Sequence, residues 1–132
     1  MFIVYVAGRY RVYNEDGSFD LEAMKQEVDN EHDAAVLIAE CGLMPFCPLA
    51  NSVHLEGEVD WGAHQWIDGD LDIIRALSKV SGAIYMRYGW AMSEGANQEY
   101  TLAKSLGMKI IFGDSPRAGA QMLSLSEVSY AQ

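Results

Sequence analysis

The hydrophobic positions of the chain fall into short apolar runs that are separated by amphipathic stretches. Residues 2–7 form a continuous β-branched and aromatic run that ends at Gly8, which predicts a fully buried strand. Further strands are predicted at residues 43–46, 82–86 and 108–112. Helices are predicted from Asp20 to Gly42, over residues 66–79 and from Ser93 to about Leu106.

The alternation of strands and helices predicts one α/β domain over residues 1–132, with a parallel sheet of four to five strands and helices on both faces. We expect a long loop over residues 47–65, of the kind that is usually functional or a lid, and a short element near 120–128. Ligands of such sheets bind beyond the carboxyl ends of the strands. The segments that follow the first three strands, 8–11, 45–48 and 87–93, should therefore converge on one cleft.

The net charge, the apolar runs and the cysteines of the chain each argue against some classes of function. The chain carries 19 acidic and 9 basic residues, a formal net charge of −10, and such a surface repels a nucleic-acid polymer. No apolar run approaches the roughly 20 residues that cross a bilayer, so no membrane association is expected. The N-terminus lacks the basic region of a signal peptide, which favours a cytoplasmic protein. Cys41 and Cys47 do not form a disulfide framework, and their spacing from the histidines is not that of a zinc site.

The acidic residues are concentrated early in the chain. Nine carboxylates lie between Glu15 and Glu40 against a single Lys25, which predicts one solvated face of the first helix. Arg9 and Arg11 follow the first strand, where they suit a small anionic ligand. The alternative is that they are surface arginines that offset the acidic helix. The spaced glycines of a dinucleotide fingerprint and of a P-loop are both missing from the sequence.

The segment from Ser93 to Glu99 is the most informative part of the sequence. Ser93 is a good helix N-cap, and the free N–H groups of a first helical turn form an anion site. Glu99 shares helical spacing with Ala96, Ala103 and Leu106, so we expect it on the buried stripe of that helix. Burial of a carboxylate costs free energy, so buried carboxylates usually have a charged or hydrogen-bonding partner or take part in the function of the protein. The alternative is an ordinary exposed glutamate.

A second carboxylate is available on the preceding helix, which opens with Asp68, Asp70 and Asp72. Acidic residues in a first helical turn are ordinary partners of the helix dipole. If one of them turns into the cleft, it completes the pair of carboxyl groups that glycoside cleavage uses.

Three segments carry a resemblance to a known family. They are Val4-Tyr-Val-Ala-Gly-Arg-Tyr-Arg11, Pro45-Phe-Cys-Pro48 and Gly89-Trp-Ala-Met-Ser-Glu-Gly-Ala-Asn-Gln-Glu99. Together they resemble the nucleoside 2-deoxyribosyltransferase-like superfamily, over roughly residues 2–112. The resemblance implies a flavodoxin-like or Rossmann-like sheet. It also implies a homodimer or larger homo-oligomer.

The resemblance also implies roles for individual residues. Glu99 matches the nucleophile that attacks C1′ of the sugar, and Tyr5 matches the tyrosine that contacts it. Ser93 stands where the monophosphate hydrolases of the superfamily carry serine, which suits a 5′-phosphate. Either Asp70 or Asp72 matches the aspartate that assists departure of the base. We prefer Asp72 because its separation from Glu99 along the sequence fits the family pattern better. The expected substrate-binding residues are Gly8, Arg9, Tyr10, Arg11, Trp90, Ser93 and Gly95.

The resemblance thus implies an N-glycosidase that cleaves 2′-deoxynucleoside 5′-monophosphates, by hydrolysis or by deoxyribosyl transfer. Its partner is a small nucleotide, and no cofactor or metal is implied. The alternative is a nucleotide-binding protein without turnover. That alternative is favoured by Arg9 and Leu49, which replace a proline and a histidine of the family pattern.

Overall fold

A computed structural model of the protein describes residues 2–113. The strands are β1 (Ile3–Ala7), β2 (Met44–Phe46), β3 (Gly82–Met86) and β4 (Lys109–Phe112). The helices are α1 (Leu21–Glu40), α2 (Pro48–Ser52), α3 (Ala63–Leu77) and α4 (Glu94–Ser105), with a 3₁₀ turn at Trp90–Met92. Within residues 2–113, no helix is long and apolar enough to cross a membrane.

The four strands form one parallel sheet in the order β2-β1-β3-β4. The chain leaves β1 towards β2 on one side and then crosses to β3 on the other. The connections from the two sides therefore separate at the carboxyl ends of β1 and β3. That divergence opens a crevice where open α/β sheets bind their ligands.

The core lies on both faces of this sheet. Val4 and Val6 of β1 point to one face, where they pack with Ala34 and Ile38 of α1. Tyr5 and Ala7 point to the other face, against residues of α3 and α4 that include Ile74, Ala96 and Ala103. The α/β architecture with helices on both faces, in the manner of flavodoxin-like and Rossmann-like folds, is confirmed.

The prediction of one long loop over residues 47–65 is wrong in part, because α2 and the start of α3 lie within it. Pro48 occupies the first turn of α2, where its missing N–H costs nothing. Helix α3 begins at Ala63 rather than 66, because the N–H of Gly62 donates to Oε1 of Gln65 at 2.7 Å and closes its first turn. The element expected near residues 120–128, and with it any fifth strand, lies outside the described residues.

The acidic helix face is also not wholly solvated. On α1, Glu27 is 7% exposed and Glu31 is 2% exposed, so two of the carboxylates expected in water are buried. Glu27 faces Arg9 and Arg87, while Glu31 accepts backbone N–H groups from the segment after β2. Buried carboxylates are tolerated when they have such partners.

Two glycines provide a matched test of the packing of α3 against the sheet. A Cβ at Gly82 would lie 2.4 Å from the carbonyl oxygen of Leu77, whereas a Cβ at Gly69 would meet nothing within 4 Å. We expect Gly82→Ala to lower the free energy of unfolding by about 2 kcal/mol or more. Gly69→Ala, in the interior of α3, should raise it by about 0.5–1 kcal/mol. Urea unfolding measures both, and equal effects would contradict the close approach at Gly82.

Candidate functional site

A pocket of about 340 Å³ lies at the carboxyl ends of β1, β2 and β3, where the sequence predicts a cleft. Its wall includes residues from the loop after β1, from α1, from the α2 region, from α3 and from the start of α4. Among the residues that line it are Gly8, Tyr10, Arg11, Tyr13, Glu31, Leu49, Glu56, Trp66, Asp70, Met92, Ser93, Gly95 and Glu99. The predicted convergence of the segments after the first three strands is confirmed.

Glu99 projects from α4 into this pocket and is only 8% exposed. The hydroxyl of Tyr5, from the centre of β1, donates a hydrogen bond to Oε2 of Glu99. Tyr5 is itself fully buried, and its ring stacks on Phe46 with 5.8 Å between centroids. The tyrosine therefore holds one carboxylate oxygen at a fixed place above the sheet, as expected for this pair.

The environment of Glu99 strongly disfavours its charged form. Burial raises the pKa of Glu99 to about 8, the hydrogen bond from Tyr5 opposes that rise, and the charge of Asp70 adds to it. Burial and the nearby Glu99 carboxylate also raise the pKa of Tyr5 well above its ordinary value. Tyr5 therefore remains a hydrogen-bond donor at any physiological pH.

Asp70, on α3, is the second carboxyl group of the pocket. Burial, followed by the charges of Glu31 and Glu56, raises its pKa to about 6, and Arg11 opposes the rise. Between about pH 6 and pH 8, Asp70 is therefore largely ionised while Glu99 keeps its proton. One carboxylate and one carboxylic acid are thus present together at neutral pH.

The preference for Asp72 as the second carboxylate is wrong. Its side chain is 77% exposed and pairs with Arg75 at 2.7 Å, away from the pocket. Two residues along a helix correspond to a turn of about 200°, so Asp70 and Asp72 point to opposite sides. Asp70 occupies the inward stripe with Ile67 and Ile74.

Three further carboxylates of the pocket were not predicted as site residues, namely Glu31, Glu56 and Glu94. The oxygens of Glu31 accept the backbone N–H groups of Leu49 and Ala50, at 3.1 and 3.0 Å. Glu56, from the segment between α2 and α3, pairs with Arg11 at 2.8 Å. Glu31 had a detectable signal, since it shares the inward spacing of Met24, Glu27, Ala34 and Ile38. Glu56 had none, because it lies outside any periodic segment.

The predicted binding residues do not all reach the pocket. Gly8, Tyr10 and Arg11 line it, but Arg9 points to Glu27, with Nε 3.7 Å from its Oε2. Trp90 also lies elsewhere, in an aromatic cluster with Tyr100 and Phe112. The placement of Arg9 and Trp90 as pocket residues is therefore corrected. Trp66 and Tyr13 supply aromatic surface in the pocket instead.

The start of α4 forms one end of the pocket. Ser93 is the N-cap, as predicted, and its Oγ accepts the N–H of Ala96 at 3.2 Å. Ser93, Glu94 and Gly95 all line the pocket. The N–H groups of a first helical turn have no partner within the helix, so they are available to a ligand there.

Among residues 2–113, no group of three or more His, Cys, Asp and Glu side chains could hold a metal ion. Burial raises the pKa of the Cys47 thiol to about 11.

The fold and the pocket define an α/β protein that carries two carboxyl groups with raised pKa values at the switch point of a parallel sheet. Residues 3–112 match a domain of unknown function, DUF4406, so the chain belongs to that family. No curated protein and no solved structure matches the chain.

The buried Glu99 predicts a pH-dependent stability. Its pKa of about 8 exceeds the ordinary value of 4.5, so the folded protein binds more protons than the unfolded chain between these values. The contribution of Glu99 to stability is therefore largest below about pH 4.5 and is lost as the pH rises towards 8. In Glu99→Gln the side chain cannot ionise, so this loss of stability with rising pH is absent. The glutamine oxygen can still accept the hydrogen bond from Tyr5.

We therefore expect Glu99→Gln to be more stable than wild type at pH 8 by at least about 1 kcal/mol, with a smaller difference at pH 5. Urea unfolding at the two pH values measures it. Glu58→Gln, which alters an exposed residue, is the control and should show no such pH dependence. A difference for Glu99→Gln that is constant with pH would contradict the burial of its charge.

Proposed function

We propose that the protein breaks the N-glycosidic bond of a 2′-deoxynucleoside 5′-monophosphate, with Glu99 as nucleophile and Asp70 as general acid. One observation carries the proposal. Two carboxyl groups face one pocket and hold a single proton at neutral pH, and Tyr5 hydrogen-bonds to the carboxyl group proposed as nucleophile. Double-displacement glycoside cleavage uses such a pair, with one carboxyl group as the nucleophile and the other as the acid.

In the first step, an oxygen of Glu99 forms a bond to C1′ as the bond between C1′ and the base nitrogen breaks. The electron pair of that bond leaves with the base, and the Asp70 carboxyl group donates its proton to the base. In the free pocket Glu99 has the higher pKa and carries the proton, so the reaction requires transfer of that proton to Asp70 before the attack. The hydrogen bond that Tyr5 donates to Glu99 stabilises the ionised nucleophile and so favours this transfer. The product is a glycosyl ester of Glu99 beside an ionised Asp70.

In the second step, water attacks C1′ and Asp70 accepts a proton from it. The bond between C1′ and Glu99 breaks, the glutamate leaves as a carboxylate, and deoxyribose 5-phosphate is released. Asp70 is then protonated, as it was before the attack. A second base in place of water gives deoxyribosyl transfer by the same route.

The proposed phosphate site is the start of α4. The Ser93 hydroxyl and the first-turn N–H groups line the pocket there, and Arg11 lines its wall. These donors must act against Glu31, Glu56, Asp70, Glu94 and Glu99, which also line the pocket. The preference for a phosphate therefore depends on local hydrogen bonds rather than on the overall field.

Turnover is tested with a matched pair of aspartates on α3. Purified wild type, Glu99→Gln, Asp70→Asn and Asp72→Asn are each incubated with every common deoxynucleoside monophosphate, and free base is measured by chromatography. We expect Glu99→Gln to lose at least about 10³-fold in kcat and Asp70→Asn about 10²-fold, because they remove the nucleophile and the acid. Asp72→Asn should match wild type, since Asp72 is exposed and outside the pocket.

If Glu99→Gln keeps more than a few per cent of kcat, Glu99 is not the nucleophile. Equal losses in Asp70→Asn and Asp72→Asn would contradict the role of Asp70. If wild type binds a nucleotide and releases no base, the protein is instead a nucleotide-binding protein without turnover.

Substrate class is tested at Ser93. We expect kcat/KM for a deoxynucleoside 5′-monophosphate to exceed that for the unphosphorylated nucleoside by at least about tenfold, since one charge-assisted hydrogen bond contributes roughly 1.5–3 kcal/mol. Ser93→Asp places a negative charge at the proposed phosphate site and should narrow or reverse this ratio. Ser93→Thr keeps a hydroxyl and an N-cap, and it is the control. Equal kcat/KM for the two substrates with wild type would overturn the phosphate site.

A homo-oligomer and a cytoplasmic location also remain proposals. The surface best suited to a second copy carries the exposed side chains of Tyr88 and Met92, next to the pocket.

A further inference from the structure

Arg11, in the loop after β1, is the one lysine or arginine among the residues 2–113 that line the pocket, beside five carboxylates. Its Nη2 donates to Oε1 of Glu56, one of those carboxylates, at 2.8 Å. The two side chains are 26% and 20% exposed, so a ligand in the pocket can reach both. Glu56 therefore neutralises the cation that an anionic ligand of this pocket would use, and the proposed reaction gives Glu56 no role.

The backbone places Glu56 opposite Arg11. Glu56 lies between α2 and α3, and its N–H donates to the carbonyl oxygen of Ser52, the last residue of α2, at 3.0 Å. The chain turns directly after it at Gly57, whose φ of 92° is a conformation that glycine adopts most readily. Ser52 lines the pocket as well. A defined turn beside the pocket thus presents the carboxylate of Glu56 to the guanidinium.

Arg11 has a second contact that does not involve Glu56. Its Cζ lies 5.8 Å from the centroid of the Tyr10 ring, and Tyr10 also lines the pocket. A guanidinium over an aromatic ring is attracted to the negative face of that ring. The contact with Tyr10 therefore keeps the guanidinium at the pocket wall when its bond to Glu56 is broken.

An anionic ligand group and Glu56 compete for the same guanidinium. A phosphate that binds Arg11 comes close to the Glu56 carboxylate, and the two negative charges repel each other. A phosphate dianion carries more charge and more acceptor oxygens than a carboxylate, so it can take the place of Glu56 on Arg11. A neutral hydroxyl group offers too little to replace the ion pair.

We propose that Glu56 is a specificity-determining residue, which competes with the phosphate of the ligand for Arg11 and so limits the affinity of the pocket for anions. The identity of the ligand as a nucleotide rests on the proposed function, but the competition between Glu56 and an anion for Arg11 does not.

This competition has a consequence for the proposed reaction. Substrate and product carry the same phosphate, and only the substrate also carries the base. A competitor for Arg11 weakens the binding of both, so a small anion or a product without the base is held weakly. The substrate still binds through its additional contacts, and the product leaves the pocket more readily.

The binding test is an NMR titration of ¹⁵N-labelled protein with inorganic phosphate, at one pH and one ionic strength. We expect Glu56→Gln to lower the Kd for phosphate by about tenfold, because Arg11 becomes free to form a charge-assisted hydrogen bond with the ion. Glu58→Gln is the matched control. It removes the same charge from the same segment at an exposed position outside the pocket, and should leave the Kd within about twofold of wild type.

A double-mutant cycle shows whether Glu56 acts through Arg11. Arg11→Gln should raise the Kd for phosphate by about tenfold. In that background Glu56→Gln should change the Kd by less than about threefold, since no guanidinium remains to compete for. An equal gain with and without Arg11 would mean general repulsion by Glu56, and it overturns the proposal.

Glu56→Ala is a second variant if Glu56→Gln does not fold, and it should show the same gain in affinity. An unchanged Kd in whichever of the two folds overturns the proposal. So does a gain in Glu58→Gln equal to that in the Glu56 variant, or a failure of phosphate to bind both wild type and that variant.

A kinetic measurement separates this proposal from the glycosidase proposal. If the reaction is as proposed, Glu56→Gln should increase the ratio of kcat/KM for the monophosphate over the nucleoside by about tenfold. Inorganic phosphate should also inhibit this variant more strongly than wild type. If wild type shows no turnover while the phosphate Kd responds as expected, the glycosidase proposal fails and the role of Glu56 stands. If wild type turns over and the phosphate Kd is the same in Glu56→Gln, the role of Glu56 fails instead.

Discussion

The hydrogen bond from Tyr5 to Glu99 is the interaction on which the rest of the site depends. It joins the central strand β1 to helix α4 and satisfies a carboxyl group that is only 8% exposed. Without a donor at this place, burial of Glu99 would cost several kcal/mol, and the helix would have to turn the residue outwards. The donor comes from the middle of a buried strand, which is among the most rigid positions in an α/β fold. The carboxylate therefore has a fixed position before any ligand arrives.

On the other face of the sheet, too, buried carboxylates need hydrogen-bond or ionic partners. Helix α1 turns Glu27 and Glu31 towards the strand ends rather than into water, and each is compensated there. Glu27 lies between two arginines, and Glu31 accepts two backbone N–H groups from the region of α2. Because α2 has only five residues, it relies on this contact with Glu31 for its placement. The acidic helix is thus a structural part of the pocket wall.

Most of the fold and half of the site follow from local patterns in the sequence. The four strands and the N-cap at Ser93 were predictable because burial and capping leave strong local signals. Helical spacing also identified Glu99, and the same rule applied to α3 favours Asp70 over Asp72, since only Asp70 shares the stripe of Ile67 and Ile74. The contacts of Arg9, Trp90 and Glu56 were not predictable. These residues lie in the connections between the main helices and strands, where tertiary partners that are distant in the sequence decide the direction of each side chain.

The acidic lining of the pocket has opposite consequences for the ground state and the transition state of the proposed reaction. Carboxylates around the pocket repel a phosphate dianion, so they weaken substrate binding. The same carboxylates stabilise the positive charge that develops on the sugar as the glycosidic bond breaks. Stabilisation that is stronger in the transition state than in the ground state is what accelerates the chemical step. Apart from the start of α4 and Arg11, the acidic lining would therefore favour the proposed reaction more than tight binding of the proposed substrate.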